Sequence, residues 1–327
     1  MKRFSLYFTA PRRVELREES FAWPQAGKIL VQTLSSAVSA GTELLFYRDQ
    51  VPGDLQVDET IPGLSGKFRY PLKYGYASVG KIIEIENKKH SSLLGSMVFS
   101  LHVHESHFCA APDEVLVLPA HVQPEEAVFL PILETAVNFM LDGRPLIGER
   151  AAVFGQGVVG LLTTALLARF PLESIVTFDS YELRRKVSEL MGARASFEPG
   201  GKREQSADIT YELSGNPDAL ALAIESTAFS GRIVIGSWYG RKKATAAFGG
   251  RFHRSRIKLI SSQVSTITPE LSGRWSKVRR LETAVRMLEE INTVPLISHR
   301  FPFSRAPGAY ELLDRSPEET LQVVFSY

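Results

Sequence analysis

The fold is decided by the stretch Ala151-Ala-Val-Phe-Gly-Gln-Gly-Val-Val-Gly160. An apolar strand that runs into three glycines and then into an apolar helix is typical of a dinucleotide-binding turn. Gly155 permits the tight turn, Gly157 lets the backbone approach a pyrophosphate, and Gly160 lets the helix pack closely on the strand. The N–H groups at the start of the helix would then bind the phosphates.

The sequence after this turn supplies the rest of the pattern. A second apolar strand, Ser174–Phe178, is followed by Asp179, 19 residues after Gly160. A carboxylate there accepts hydrogen bonds from ribose hydroxyls and repels a 2′-phosphate, so it favours NAD over the alternative, NADP. Arg184 on the next helix either holds a phosphate or lies on a solvated helix face, and we favour the second interpretation. The predicted cofactor-binding residues in this region are Gly155, Gln156, Gly157, Val158, Val159, Gly160, Asp179, Ser180 and Arg184.

The composition excludes several classes of protein. The chain has 327 residues, enough for two domains, and its 44% hydrophobic and 23% charged content is ordinary for a soluble protein. A formal net charge of +2 gives no electrostatic case for a nucleic-acid partner. The single cysteine, Cys109, suits a reducing cytoplasm. No apolar run approaches the roughly 20 residues of a membrane-spanning helix, and the N-terminus has no signal-peptide pattern. We therefore expect a cytoplasmic protein that acts on a small molecule.

The chain divides into regions with two different patterns of predicted secondary structure. Residues 1–133 contain short strands broken by glycine, proline and asparagine, which is typical of a β-rich domain. Residues 134–267 alternate strands and helices, which indicates a doubly wound parallel sheet and an α/β fold. Residues 268–327, with an amphipathic helix at 276–290, are assigned to the β-rich domain. The strands predicted beyond the glycine turn are Ser174–Phe178, Ile209–Leu213, Gly231–Gly236, Lys258–Val264 and Gln322–Ser326.

Three further segments resemble the medium-chain dehydrogenase/reductase superfamily. They are Ala40-Gly-Thr-Glu43, Tyr74-Gly-Tyr-Ala-Ser-Val-Gly80 and Pro145-Leu-Ile-Gly-Glu-Arg-Ala-Ala-Val-Phe-Gly155, and the resemblance covers essentially the whole chain. It implies a GroES-like β-rich catalytic domain, a Rossmann domain and NAD(P)-dependent alcohol dehydrogenase or reductase activity. It also implies a homodimer, formed by strand pairing near Val234 or the Lys258–Val264 strand.

One branch of the superfamily is more similar than the rest. Ser39-Ala-Gly-Thr-Glu43, Phe99-Ser-Leu-His-Val-His104 and Leu296-Ile-Ser-His-Arg-Phe-Pro-Phe303 resemble the group that contains bacteriochlorophyllide a dehydrogenase. The substrate of that enzyme is not carried over to this chain.

The zinc ligands of the superfamily are replaced here. The resemblance aligns its first cysteine with Ala40, the histidine and glutamate of its Gly-His-Glu segment with Tyr76 and Ala77, and its third ligand with Pro131. Alanine and proline side chains cannot bind zinc, and tyrosine rarely does. The chain also lacks the four cysteines of the structural zinc lobe. We therefore predict no catalytic zinc at the usual position.

The same resemblance assigns the cofactor side of the reaction. It implies that the Thr42 hydroxyl contacts the reacting oxygen and that Thr135 lies beside the nicotinamide. The segment Ile235-Gly-Ser-Trp-Tyr-Gly240 would line the nicotinamide pocket, as in relatives. The residues added to the predicted site are Thr135, Ser214, Gly236 and Ser237 for the cofactor and Trp238 for the substrate.

Without zinc, another group must polarise the substrate oxygen and handle its proton. Tyr76 either donates a hydrogen bond to that oxygen or only fills the space left by the metal. His102 and His104 lie two residues apart in a strand-like run, so we expect them on one face, where they shuttle protons, bind substrate or are merely structural. Together with His107 and Cys109 they match no standard zinc spacing. Glu134 either accepts a proton, binds the substrate or is an acid at a helix N-terminus.

A basic cluster, Arg251-Phe-His-Arg-Ser-Arg256, precedes the last predicted strand of the sheet. Arg251 or His253 is a candidate for binding an anionic group of the substrate, and the alternative is a solvated loop.

These features predict a zinc-independent oxidoreductase that transfers a hydride between NAD(H) and a secondary alcohol or ketone. Two alternatives remain open. One is reduction of an activated alkene, as in zinc-free quinone and enoyl reductases, and the other is a protein that binds NAD(H) without turnover.

Overall fold

The chain forms two compact units in the computed structural model, which describes residues 1–53, 64, 66–201 and 206–327. Residues 1–131 and 293–327 form the first unit, and residues 132–292 form the second. The strands are β1 (Lys2–Ala10), β2 (Arg13–Ser20), β3 (Ile29–Ala37), β4 (Ser78–Ile85), β5 (Met97–Ser100), β6 (His107–Ala110), β7 (Leu116–Val117), β8 (Arg150–Phe154), β9 (Ser174–Phe178), β10 (Ala195–Phe197), β11 (Ala207–Glu212), β12 (Thr227–Ile235), β13 (Lys258–Ser261), β14 (Ile297–Pro302) and β15 (Gln322–Ser326). The helices are α1 (Ala40–Tyr47), α2 (Pro124–Ala127), α3 (Leu130–Gly143), α4 (Val158–Leu167), α5 (Glu182–Leu190), α6 (Ala219–Ser226), α7 (Lys277–Glu290) and α8 (Ala306–Arg315).

The first unit is built on a mostly antiparallel sheet in the order β14-β15-β3-β4-β5-β7, with β6 also paired to β3. Aromatic side chains from α1, α8 and the strands fill its larger core. Phe8, Phe46, Tyr310 and Phe325 are fully buried there, and the Phe8 and Tyr310 rings meet edge to face at 5.2 Å. Each buried ring of this size contributes about 1.5–3 kcal/mol. This core fixes α1, whose N-terminus carries the segment aligned with the family's zinc ligand.

A buried network of charges holds the β1–β2 hairpin in the first unit. The Glu105 side chain is 2% exposed and pairs with Arg3 at 2.9 Å and Lys73 at 2.6 Å. Lys73 also reaches Glu19 on β2, at 2.6 Å. Two acids and two bases therefore neutralise each other, which is the condition for burying charge at tolerable cost.

The second unit is a six-stranded parallel sheet in the order β10-β9-β8-β11-β12-β13. This is the strand order of the doubly wound dinucleotide-binding fold, in which the ligand lies at the carboxyl ends of the strands where the order reverses. The reversal falls between β8 and β11, and the glycine turn follows β8. The sequence predicted this sheet, and the mixed α/β fold of a β-rich unit and a Rossmann sheet is confirmed.

Three expectations differ from the structure. Residues 268–292 pack in the second unit, not with the β-rich domain, because buried residues of α7 such as Arg280 contact α3 and the loop after β13. Val234 cannot pair with a second copy through its backbone, since β12 lies between β11 and β13. The β13 strand does lie at the edge of the sheet, so pairing there stays a prediction. The segment 102–104 is not a strand, because β5 ends at Ser100 and the chain turns immediately.

In the part of the chain that the structure describes, no helix combines the length and apolar character needed to cross a membrane.

Candidate functional site

The glycine turn has the geometry that its sequence predicts. Gly155 has a φ of +88°, and a Cβ there would lie 2.4 Å from the Ser214 Cα. A Cβ at Gly160 would lie 1.9 Å from the Gly155 carbonyl oxygen. Gly157 is the N-cap of α4, and a Cβ there would meet no atom within 4 Å. The turn therefore needs glycine at 155 and 160 for its own packing, while Gly157 borders open space where a pyrophosphate would fit.

Asp179 is tied to this turn. One carboxylate oxygen accepts the Gln156 N–H at 2.7 Å, and the other accepts the Tyr181 N–H at 2.9 Å. Each oxygen keeps a lone pair for a ribose hydroxyl. The Arg184 guanidinium lies 4.0 Å from the Asp179 carboxylate. Arg184 therefore forms an ion pair with Asp179 and does not only face solvent.

Other residues predicted near the cofactor have different roles. The Gln156 side chain is fully buried beneath the turn, where it donates to the Gly155 carbonyl and accepts from Thr164. Val158 and Val159 form the first turn of α4, and Ser180 is exposed just after Asp179. Thr135 lies partly buried in α3.

Two further loops meet at the carboxyl edge of the sheet. Ser237, after β12, donates to the Glu212 carbonyl at 3.3 Å and accepts the Gly215 N–H at 2.9 Å. Ser214, after β11, donates through its backbone N–H to the Glu212 carboxylate at 2.9 Å. Gly236 packs against Phe139, and Trp238 is 39% exposed on the same loop. The structure thus brings most of the predicted cofactor residues to one edge.

Sequence reasoning missed Glu212 and Tyr239 at this edge. Glu212 is fully buried at the end of β11, and the Tyr239 hydroxyl donates to its carboxylate at 2.5 Å. Burial, reinforced by Glu212, raises the pKa of the Tyr239 phenol. An acidic residue that ends an apolar strand was the available signal, because such a residue needs buried donors.

Glu134 is not a free acid. Arg280, only 2% exposed, donates to its carboxylate at 3.0 Å and to the Asn138 side chain at 2.6 Å. Burial raises the pKa of Glu134, and Arg280 opposes that effect. These contacts favour a structural ion pair over the proton acceptor that the sequence suggested.

The basic cluster lies at the other end of the sheet. The Arg251 guanidinium donates to the Thr227 carbonyl at 2.8 Å and to the Ser206 hydroxyl at 3.1 Å, at the amino ends of β12 and β11. His253 is exposed beside it. The structure therefore does not bring Arg251 and His253 to the carboxyl edge, because their segment leads into the amino end of β13.

In the first unit, three hydroxyl groups meet at the start of α1. The Tyr76 hydroxyl forms a short hydrogen bond with the Ser39 hydroxyl and lies 3.5 Å from the Thr42 hydroxyl. All three side chains are partly exposed. The Tyr74 and Tyr76 rings meet edge to face with centroids 6.1 Å apart, and Tyr74 packs at a tilt against Phe46 with centroids 4.0 Å apart. The aromatic core thus fixes the direction of the Tyr76 ring.

Beneath this cluster, Glu43 and His104 form a fully buried pair. The His104 Nε2 atom lies 3.2 Å from the Glu43 carboxylate, and its Nδ1 atom lies 2.7 Å from the Ser36 hydroxyl. The Tyr310 hydroxyl also donates to Glu43, and burial together with Glu43 raises the pKa of Tyr310. The imidazole packs directly against Gly75, and position 75 needs a glycine because a Cβ there would lie 2.6 Å from the ring.

His102 does not share this environment. Its ring stacks on Phe108 at 4.2 Å, and burial lowers the pKa of the imidazole although Glu105 opposes the effect. His107 begins β6 and contacts Ser106, while Cys109 is half-buried with a pKa raised by burial. The two candidate histidines therefore have different surroundings, and His104 is the one close to the hydroxyl cluster.

A catalytic zinc does not fit the positions that the family resemblance assigns to it. Those positions hold Ala40, Tyr76 and Pro131, which offer no thiolate, imidazole or carboxylate. Across the described residues, no group of three or more histidine, cysteine, aspartate or glutamate side chains is arranged to hold a metal ion.

Comparison with known proteins places this fold in a class. No protein-family model matches the chain. It is 23% identical over 340 residues to 2-desacetyl-2-hydroxyethyl bacteriochlorophyllide A dehydrogenase of Cereibacter sphaeroides, covering 97% of this chain and 96% of that protein. It is 24% identical over 347 residues to D-guloside 3-dehydrogenase of Escherichia coli, covering 97% and 98%. A short chain alcohol dehydrogenase from Escherichia coli CFT073, solved with NADH, superposes with a TM-score of 0.80 at 15% identity, covering 100% and 99%.

The fold, the glycine turn and these relatives define a nicotinamide-dependent oxidoreductase of the alcohol dehydrogenase type. The predicted resemblance to the medium-chain dehydrogenase/reductase superfamily is confirmed, since these relatives are dehydrogenases that match the chain over almost its whole length.

Proposed function

We propose that this protein interconverts a secondary alcohol and a ketone with NAD(H), and that Tyr76 takes the role that zinc has in other members. The observation that carries the proposal is the cluster of Tyr76, Ser39 and Thr42 hydroxyls. It stands where the resemblance places two of the zinc-ligand segments. A phenol held by the core can donate a hydrogen bond to a carbonyl oxygen, which is the contribution that catalysis needs there.

The second unit would hold the cofactor. The start of α4 offers N–H groups to the pyrophosphate, and Asp179 offers its remaining lone pairs to the ribose hydroxyls. Its negative charge would repel a 2′-phosphate, which supports NAD over NADP. When bound, the nicotinamide supplies or accepts the hydride.

In the first unit, Tyr76 would handle the proton. In reduction, its O–H group protonates the oxygen as the carbon receives the hydride. In oxidation, its phenolate oxygen accepts the alcohol proton. Thr42 lies close enough to the same hydroxyl to orient the substrate oxygen. The relatives named for a hydroxyethyl group and for a guloside support a hydroxyl-bearing substrate.

A thermal-shift titration with NAD+, NADH, NADP+ and NADPH tests the cofactor. A ligand at about 100 times its Kd stabilises a protein by about 2.7 kcal/mol, which corresponds to a shift of about 5–10 °C for a unit of this size. We expect that shift with NAD(H) and a much smaller one with NADP(H). No shift with any of the four would contradict the enzyme assignment and favour a protein without turnover.

A substrate assay tests the chemistry. Cyclohexanone and cyclohexenone form a matched pair of probes, and analysis of the products distinguishes carbonyl reduction from alkene reduction. We expect cyclohexanone to be reduced and Tyr76→Phe to abolish turnover. Tyr70→Phe is the control, since it removes another half-buried phenol hydroxyl, one that donates to the Phe46 carbonyl. Reduction of only the alkene would replace this proposal with the enoyl reductase alternative.

Metal dependence is tested separately. We expect full activity after exhaustive chelation and dialysis, and less than one equivalent of zinc by elemental analysis. A loss of activity that zinc alone restores would refute zinc independence.

A further inference from the structure

The N-terminus of α1 is capped in an unusual way. Ser39 is the N-cap residue, and serine at that position ordinarily accepts a backbone N–H of the first turn through its hydroxyl. Here its φ and ψ are −82° and 80°, and its side chain makes no capping hydrogen bond. Its own backbone N–H is bound by the Glu43 carboxylate at 2.7 Å, so only one half of the usual reciprocal capping arrangement is present. The Ser39 hydroxyl is therefore directed away from the helix.

That hydroxyl binds Tyr76. We propose that Ser39 is a proton relay for Tyr76, and that the buried Glu43–His104 pair holds Ser39 in the relay position. The inference rests on the function proposed above, in which Tyr76 exchanges a proton with the substrate. The sequence alone indicated no functional role for Ser39.

The buried pair has the contacts needed for this task. Glu43 is fully buried and receives the Ser39 N–H, the Tyr310 hydroxyl and the His104 ring. A neutral imidazole can make both of its hydrogen bonds here, because Nε2–H donates to Glu43 while Nδ1 accepts the Ser36 hydroxyl. With three donors around it, the carboxylate is held in place and keeps the Ser39 backbone fixed beside Tyr76.

The relay balances its protons. During reduction, Tyr76 gives its proton to the substrate oxygen as the carbon receives the hydride. The Ser39 hydroxyl then protonates the phenolate oxygen while its own oxygen takes a proton from water, so Ser39 ends unchanged. One proton from solvent is consumed for each ketone reduced, and oxidation of an alcohol runs the same steps backwards. Ser39 and Tyr76 are both partly exposed, which gives water access to the serine.

Substitution of Ser39 separates a relay from a cap. In Ser39→Ala we expect kcat for cyclohexanone to fall about 10–100-fold with KM unchanged and the melting temperature within about 2 °C of wild type. Ser39→Thr should restore most of kcat, because it keeps the hydroxyl. A melting temperature lowered by several degrees with unchanged kcat would show a capping role and overturn the proposal. If Ser39→Ala is unstable, Ser39→Gly decides, since glycine is a good N-cap without a hydroxyl.

Substitution of His104 tests whether the Glu43–His104 pair positions Ser39. Glutamine at 104 can place its amide nitrogen near the Nε2 position and still donate to Glu43, whereas asparagine can reach only toward Ser36. We expect His104→Gln to keep more of kcat than His104→Asn at comparable melting temperatures. Equal losses in both variants would remove the holding role. Ser36→Ala is the matched control, because it removes the other contact of the ring and leaves the Glu43 contact in place.

A readout without substrate completes the test. An ultraviolet difference titration of wild type against Tyr76→Phe isolates the ionisation of the Tyr76 phenol. Loss of the Ser39 donor should move that ionisation to higher pH in Ser39→Ala, and an unchanged midpoint would refute the hydroxyl contact. If Tyr76→Phe retains full turnover, the proposed function fails first. If Tyr76→Phe is inactive and Ser39→Ala is fully active, only the relay fails.

Discussion

Replacement of Arg280 by methionine should destabilise the second unit without altering the chemistry. Arg280 is 2% exposed, and its guanidinium donates to Glu134, to Asn138 and to the carbonyls of Val264 and Thr266. It therefore joins α7 to α3 and to the loop after β13. Methionine keeps most of the volume and removes every one of these hydrogen bonds.

The magnitude follows from the burial of the pair. Removal of one partner of a buried ion pair costs about 3–5 kcal/mol, because the other charge is left uncompensated. For a unit of 161 residues, counted from residue 132 to 292, each kcal/mol corresponds to about 2–4 °C in melting temperature. We therefore expect a decrease of about 6–20 °C in Arg280→Met. The double variant with Glu134→Gln should recover about 0.5–3 kcal/mol, because no unpaired charge remains.

Scanning calorimetry of the wild type, both single variants and the double variant measures this coupling. Arg279→Met is the matched control, since Arg279 lies next in the same helix but is exposed. Equal melting temperatures for Arg280→Met and Arg279→Met would refute the argument. The same set decides the role of Glu134, because a structural acid predicts that Glu134→Gln keeps kcat. A tenfold loss of kcat at unchanged stability would restore Glu134 as the proton acceptor that the sequence suggested.

Three more outcomes follow from the structure. Gly160→Ala should lose both the NAD(H) thermal shift and several degrees of stability, because its Cβ would overlap a carbonyl oxygen of the turn, whereas Gly157→Ala should lose only the shift. Burial would raise the pKa of Glu19, but hydrogen bonds, the largest from Lys73, lower it to about 2. The unperturbed pKa is 4.5, so the ionised Glu19 should contribute up to about 3 kcal/mol to the free energy of unfolding. This contribution is fully present above about pH 4.5 and is lost as the pH falls toward 2. Urea unfolding of Lys73→Met should show much less of this pH dependence. Asp179→Ser should weaken NAD(H) binding at least tenfold, measured by calorimetric titration, and reduce the preference over NADP(H); an unchanged preference would contradict the role of its charge.

The second unit could be predicted because its signals are local. The strand Ser174–Phe178 has the predicted bounds, and the glycine turn lies between strand and helix as expected. Apolar runs that end in glycine or an acid leave few alternatives. The assignment of residues 268–292 failed because an amphipathic helix shows which face is buried and not against which unit it packs.

The site in the first unit could be predicted only in part. The sequence identified Tyr76 and Thr42 as candidates but gave no sign that the Ser39 hydroxyl would contact Tyr76. It also grouped His102 with His104 by spacing, although the chain turns after β5. The position of the His104 ring depends on the space at Gly75, which is a tertiary property that a sequence pattern does not contain.

Loss of the zinc ligands is compatible with a protein that has become a scaffold, and the buried groups of the first unit argue against that interpretation. Glu43 and His104 are fully buried, and a buried charged or polar pair is often no more stabilising than apolar residues of the same volume. A fold with no further task would lose little stability if apolar residues replaced them. The hydroxyl of Ser39, in turn, gives up a capping bond worth about 1 kcal/mol to reach Tyr76. Two local costs that converge on one phenol are better explained by proton transfer at that phenol than by the remains of a dismantled metal site.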